Sequence, residues 1–137
     1  MNKLIEQLKR HEGIELKPYQ DTVGKWTIGV GRNLDDIGIS EQEAEMLLLN
    51  DIKEAERQLI TTMPWTQELD EVRFSALLNF VFNVGIGTAS KFVNAMGLLK
   101  DEKYDMAADE FLQSKWARQV GNRAIEVTDQ IRTGEWQ

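Results

Sequence analysis

Three residues in one short window have the types and spacing for acid–base chemistry at an oxygen. Glu12 and Asp21 are nine positions apart, and Thr27 follows six later. Glycosidic-bond cleavage uses such a set. One protonated carboxyl donates to the leaving oxygen, and one ionised carboxylate activates water or attacks the sugar. The two acids must then occupy different environments. Glu12 closes a run with helical periodicity and precedes Gly13, whereas Asp21 lies in the polar turn QDTVGK between two β-type runs. Thr27 belongs to the second run, where its hydroxyl can hydrogen-bond a water beside Asp21. Spacing alone has a plainer reading, because acids are mostly solvated surface residues and such pairs occur by chance.

The surrounding residues carry more information. Glu12-Gly13, Leu16-Lys17, Tyr19, Asp21, Gly24 and Trp26-Thr27-Ile28-Gly29-Val30-Gly31 resemble the active-site signature of the phage-type lysozymes, endolysins of glycoside hydrolase family 24. That family's pattern of Glu, eight residues, Asp or Cys, five residues and Thr is met by Glu12, Asp21 and Thr27. Phe82-Asn83-Val84-Gly85, Ser114-Lys115-Trp116-Ala117, Asn122-Arg123-Ala124 and Arg132-Thr133-Gly134-Glu135-Trp136 look like its later motifs, so the resemblance covers essentially the whole chain.

The resemblance implies a muramidase that hydrolyses the β-1,4 bond between N-acetylmuramic acid and N-acetylglucosamine, with inversion. Glu12 is then the general acid, Asp21 the base or the partner that positions water, and Thr27 a holder of that water. A lytic transglycosylase of similar fold cuts the same bond by attack of an internal sugar hydroxyl, but such enzymes can lack the Asp/Thr pair. A non-catalytic cell-wall module is the alternative outside enzymology. Arg123 matches the family Arg that reaches the catalytic Glu, and Phe82 and Asn83 are candidate sugar contacts. Their plainer readings are a surface Arg, a core aromatic and a helix-end polar residue. Arg32 departs from the family, where many members have a His paired with an acid on the connector helix. The matching acid here is Asp51, so an Arg32–Asp51 salt bridge is expected. His11 reads as a helix-end surface residue. Trp116 and Trp136 read as packing residues, and Trp26 as packing or a sugar-stacking face.

Length and composition bound these readings. The 137 residues suit one domain, with 42% hydrophobic and 28% charged residues. There is no Cys and a single His, so no metal or other cofactor is implied. A net charge of −7 argues against nucleic acid as partner. It also disfavours long-range steering toward anionic peptidoglycan. A local basic patch of Lys115, Arg118, Arg123 and Arg132 offers a resolution, while the acids concentrate in residues 35–71. Apolar runs are too short for stable membrane insertion, and no signal peptide is visible. A phage enzyme of this kind is expected to be made in the bacterial cytoplasm. It would act as a monomer at the cell wall or periplasm, after a pore protein permeabilises the membrane.

The elements that position these residues read as follows. Residues 3–11 form a helix with Asn2 as N-cap. Residues 15–20 and 25–31 are strands, with Pro18 at an edge or bend, and 32–39 a polar loop. Ser40-Glu41-Gln42-Glu43 is a capping box opening a helix to about Ile60, with the stripe Ala44, Leu47, Leu48, Ile52, Ala55 and Leu59. Asp70 caps a nearly all-apolar helix through Val84, broken by Gly85 and Gly87. Three short helices follow, about Ser90–Lys100, Met106–Gln113 with Asp105 as N-cap, and Asn122–Arg132 stopped by Gly134. The expected fold is α+β and lysozyme-like. A hairpin lobe (about 13–40) joins through a connector helix (about 41–61) to a helical lobe (about 65–137), with helix 3–11 packing on the latter.

Overall fold

In a computed structural model, which describes residues 1–137, helix α1 runs Asn2–Glu12 and ends at Gly13, whose φ is 75°. Lys9 and Arg10 lie in its last turn, where cations suit the carbonyl end of the helix dipole; His11 lies there too and is exposed, as expected. Asn2 lies inside the helix; Met1 is the N-cap, with no side-chain cap bond.

Strands β1 (Glu15–Gln20), β2 (Trp26–Gly29) and β3 (Arg32–Asn33) form one antiparallel sheet in the order β1-β2-β3. β1 is an edge strand, and its register on β2 shifts between Glu15 and Tyr19. Pro18, which cannot donate to a ladder, falls in that irregular stretch. The expected strand 25–31 is shorter than anticipated. Gly29 and Gly31 take φ values of 69° and 71°, which turn the chain back instead of extending it. The returning residues pair as Thr27↔Asn33 and Ile28↔Arg32, so part of the expected loop is a third strand.

Helix α2, Glu41–Thr62, opens on the expected capping box. Glu43 N–H donates to Ser40 Oγ at 3.1 Å, and Ser40 N–H donates to Glu43 Oε1 at 3.0 Å. The chain divides into two compact units, Met1–Leu47 and Leu48–Gln137, and the division falls within α2. Of the predicted apolar stripe on α2, only Ala55 and Leu59 are buried, while Leu47 and Leu48 stay about half exposed.

In the second unit a short 3-10 turn, Pro64–Glu68, leads to α3, Glu71–Val84. Asp70 caps α3 as expected, its Oδ2 accepting from Arg73 N–H at 3.1 Å. Then come α4 (Ile86–Ser90), α5 (Val93–Lys100), α6 (Tyr104–Leu112), α7 (Lys115–Val120) and α8 (Asn122–Thr133). Two short helices, α4 and α7, thus exceed the three expected after α3. Gly85, with φ 85°, ends α3, but Gly87 lies inside α4 and breaks nothing. Asp105 sits in the first turn of α6, and the N-cap is Lys103.

Ala76, Leu77, Phe80 and Val81 of α3 are buried against Met96 and Leu99 of α5, Ala108 and Phe111 of α6, and Val127 and Ile131 of α8. Phe80 is at the centre, with Phe92, Phe111 and Trp116 edge-on at 4.9, 5.0 and 4.8 Å. The end of α8 is tied to α3 by Arg73. Its Nε and Nη2 donate to the carbonyls of Ile131 (2.6 Å) and Arg132 (3.1 Å), which the helix itself leaves unpaired. The same guanidinium lies 3.7 Å above the centre of the Tyr104 ring. No helix is long and apolar enough to cross a membrane.

Candidate active site

Glu12, Asp21 and Thr27 all lie in the first unit. Glu12 is the last residue of α1 and is exposed to solvent. Its carboxyl lies over Gly31, at the β2–β3 turn. A Cβ at Gly31 would meet Glu12 Oε2 at 2.8 Å, Cδ at 3.1 Å and Cγ at 3.2 Å. Glycine at 31 therefore serves both the left-handed backbone and the close approach of the acid. Gly31→Ala should cost roughly 1–2 kcal/mol through its backbone conformation. It should also displace the Glu12 carboxyl and, with Glu12 in the acid role the family resemblance implies, slow peptidoglycan digestion by about tenfold or more. Gly29→Ala is the control, because its φ is 69° but nothing lies within 4 Å of its Cβ position. Equal rate losses in the two variants would show that contact with Glu12 is irrelevant.

Asp21 is held by the turn it makes. Its Oδ1 accepts the N–H groups of Val23 and Lys25, both at 2.9 Å, while its carbonyl accepts Gly24 N–H at 3.0 Å. This is the Asx-type turn that a short acidic side chain favours. Oδ2 carries no such bond and remains available. Thr27 is 4% exposed, and its hydroxyl donates to the Lys25 carbonyl at 2.9 Å. Asp21 N–H donates to that same carbonyl at 2.9 Å. One backbone oxygen thus gathers the acid and the hydroxyl. Because a carbonyl can only accept, the Thr27 proton is committed and its oxygen is left as an acceptor.

Arg32 does not take Asp51. Its Nη1 donates to Glu43 Oε1 at 2.7 Å and to the Gly38 carbonyl at 3.2 Å. Glu43 sits in the first turn of α2, about 12 Å along the helix from Asp51 at 1.5 Å per residue. Its carboxylate is already turned toward the helix start by Ser40. The Arg32 guanidinium and then the Ser40 N–H and hydroxyl hold the Glu43 carboxyl down to about 2, from an ordinary value of 4.5. A carboxylate depressed in the folded state stabilises fully above its unfolded value, and the effect fades as pH falls through the folded value. The wild type should therefore out-melt Glu43→Gln at neutral pH, with the difference shrinking between pH 4.5 and about 2. A melting difference that stays constant through that window would remove the ion pair as its source.

The remaining predicted residues lie in the second unit. Arg123 donates through Nε and Nη2 to Asn79 Oδ1 at 3.0 and 2.9 Å. Phe82 is not a core aromatic, being 42% exposed. Asn83 Oδ1 accepts from the buried Trp116 Nε1 at 2.8 Å, leaving its amide nitrogen to donate elsewhere. Trp116 packs as expected, but Trp136 is largely exposed. With Leu48, Ile52, Leu78, Phe82 and Arg123 it lines a cavity of about 430 Å³. The expected basic patch is partly neutralised, since Arg132 meets Asp109 at 3.0 Å and Asp105 at 3.8 Å.

Sequence reasoning passed over Asp35 and Asp36, read as polar loop. Asp35 Oδ2 accepts Trp26 N–H at 2.8 Å, and Asp36 Oδ1 meets Lys25 Nζ at 3.2 Å. The available signal was Asn33 followed by two acids, a combination prone to side-chain-to-backbone turns.

A helix-end Glu over a glycine turn, an Asp and Thr gathered on a short antiparallel sheet, and a helical second unit define a lysozyme-like protein. A sequence profile of the phage lysozyme family matches residues 9–132, and the chain belongs to that family. It is similar to a probable T4-type lysozyme of Dictyostelium discoideum, 27% identical over an alignment covering 98% of this chain and 96% of that one. An endolysin of Acyrthosiphon pisum secondary endosymbiont phage 1 is 34% identical, over 85% of this chain and 80% of its own. The endolysin of Salmonella phage P22 is 32% identical, over 82% and 81%. Family membership places the chain among the peptidoglycan-lysing lysozymes.

Proposed function

We propose that the protein is a muramidase, hydrolysing the β-1,4 bond between N-acetylmuramic acid and N-acetylglucosamine, and that it acts as an endolysin on the bacterial wall. Glu12 donates a proton to the glycosidic oxygen as the bond to the muramic acid C1 breaks. A water on the opposite face gives one proton to Asp21 and attacks C1 with its lone pair, inverting the anomeric centre. The water's other hydrogen is directed to Thr27 Oγ1.

The observation that carries this reading is the shared Lys25 carbonyl. It accepts Asp21 N–H and the Thr27 hydroxyl, each at 2.9 Å. With its proton committed there, Thr27 can serve a water only as acceptor. Asp21, with Oδ1 bound by two N–H groups, keeps Oδ2 for the second hydrogen. A water satisfied by both has its lone pairs left for the sugar. The burial of Thr27 suits a residue that holds one water and does not bear on a sugar face.

Product analysis of digested, purified peptidoglycan tests the proposal. The expected products carry reducing N-acetylmuramic acid ends, released as the inverted anomer. Ends in 1,6-anhydro form would assign a transglycosylase instead. Retention of configuration would sink the water-activating role of Asp21. Absence of any soluble product would leave a wall-binding module.

A further inference from the structure

We propose that Asp35 is a positioning residue for the Asp21–Thr27 pair, acting through the Lys25–Trp26 peptide group. The inference rests on the muramidase reading of that pair. It adds a residue outside the signature, from a stretch that otherwise reads as loop.

The C=O and N–H of a trans peptide are fixed in one plane and point in opposite directions. On one side of this peptide, the Lys25 oxygen receives Asp21 N–H and the Thr27 hydroxyl. On the other, Trp26 N–H donates to Asp35 Oδ2 at 2.8 Å. Any tilt of this planar unit moves the acid and the hydroxyl together. The carboxylate supplies an acceptor where the ladder has run out. Leu34 N–H reaches the Trp26 carbonyl at 2.7 Å, but β3 stops at Asn33, and the Asp35 side chain takes the N–H of the same residue. A charged acceptor on the N–H also polarises the peptide, so its carbonyl grips its two donors more strongly.

The neighbouring residue, Asp36, is fixed within the loop. Asn33 Oδ1 accepts Asp36 N–H at 2.9 Å, and Asn33 Nδ2 donates to Asp36 Oδ2 at 3.0 Å. Asp36 Oδ1 also meets Lys25 Nζ at 3.2 Å, a solvent-exposed pair on which the placement does not depend. At the far end of the loop, Arg32 bonds the Gly38 carbonyl while paired with Glu43 at the start of α2. The route from the helix cap to the catalytic pair is therefore continuous: Glu43, Arg32, the 33–38 loop, Asp35, and the 25–26 peptide. Asp35 makes no bond to Asp21 or Thr27, so its influence falls on their placement.

The test uses the full chain on purified peptidoglycan, comparing wild type, Asp35→Ala, Asp35→Asn and Glu12→Gln. Misplacement without lost binding predicts that Asp35→Ala lowers kcat by about 10- to 100-fold, with KM changed by less than about twofold. Asn keeps an oxygen that can accept the N–H, so Asp35→Asn should recover to within about threefold of wild type. Amide hydrogen exchange on the wild type reads the bond without any variant. Trp26 N–H should exchange about 10-fold or more below the free-chain rate. Wild-type kcat in a folded Asp35→Ala, a loss carried by KM alone, no recovery in Asp35→Asn, or an unprotected Trp26 amide each overturns the inference. An inactive Glu12→Gln beside an unimpaired Asp35→Ala overturns the inference alone. A fully active Glu12→Gln overturns the catalytic reading and the inference with it.

Discussion

Replacing Glu12 by Gln should slow digestion of purified peptidoglycan by about 10²- to 10⁴-fold, the range general acid catalysis supplies. The amide matches the carboxyl in size and fits beside the same Gly31 backbone, but it has no acidic proton for the leaving oxygen. Glu12 is exposed and makes no salt bridge in the structure, so folding should be spared. The melting temperature should correspond to a change within about 0.5 kcal/mol. Release of soluble fragments from dye-labelled peptidoglycan, with melting curves of both proteins, measures the two quantities. Lysis at the wild-type rate would take Glu12 out of the mechanism. Lost lysis with a collapsed melting curve would mean that the residue's role is structural.

The largest stability effect is expected at Phe80. Its side chain is fully buried, with three rings packed edge-on against it. Phe80→Ala removes that surface from a core joining α3, α5, α6 and α7, leaving a cavity the helices cannot fully close. The expected cost is about 3–5 kcal/mol. At about 2–8 °C per kcal/mol, depending on the size of the cooperative unit, the melting temperature should fall by about 6 °C at the least. Phe82→Ala, two residues along the same helix but half exposed, should cost much less. Urea unfolding of the two variants makes the comparison, and similar losses would remove Phe80 from its central place.

What could be read in the chain beforehand was whatever depends on neighbours in sequence. The Ser40–Glu43 box, the Asp70 cap and the span of α3 follow from local rules, and each is found. The Glu12–Asp21–Thr27 spacing is local too, and the structure puts all three in the first unit. Harder were features decided by reach. Both Glu43 and Asp51 are acids on one helix, and nothing in their order says which the Arg32 guanidinium meets. β3 has only two residues, too few for an alternating pattern. The half-exposure of Leu47 and Leu48 cannot be read from a stripe whose spacing suits burial along its whole length. The composition around Asn33 marks a turn, but it does not say which N–H Asp35 takes, since every residue but proline carries one.

That last point bears on how the chain can drift in sequence. The bonds gathering Asp21 and Thr27 run through the main chain of Lys25 and Trp26, not through their side chains. The N–H of Lys25 goes to Asp21, its carbonyl to Asp21 and Thr27, and the N–H of Trp26 to Asp35. Both side chains are substantially exposed, and the Lys25–Asp36 pair is of the surface kind that contributes little. Positions 25 and 26 are therefore insulated: mutations can accumulate there, altering charge and surface affinity, while the main-chain bonds that gather Asp21 and Thr27 stay the same. Proline alone is barred at both, since it would delete a donor at each. For directed evolution toward different cell walls, these two sites are where a library can be broad without touching Asp21 or Thr27.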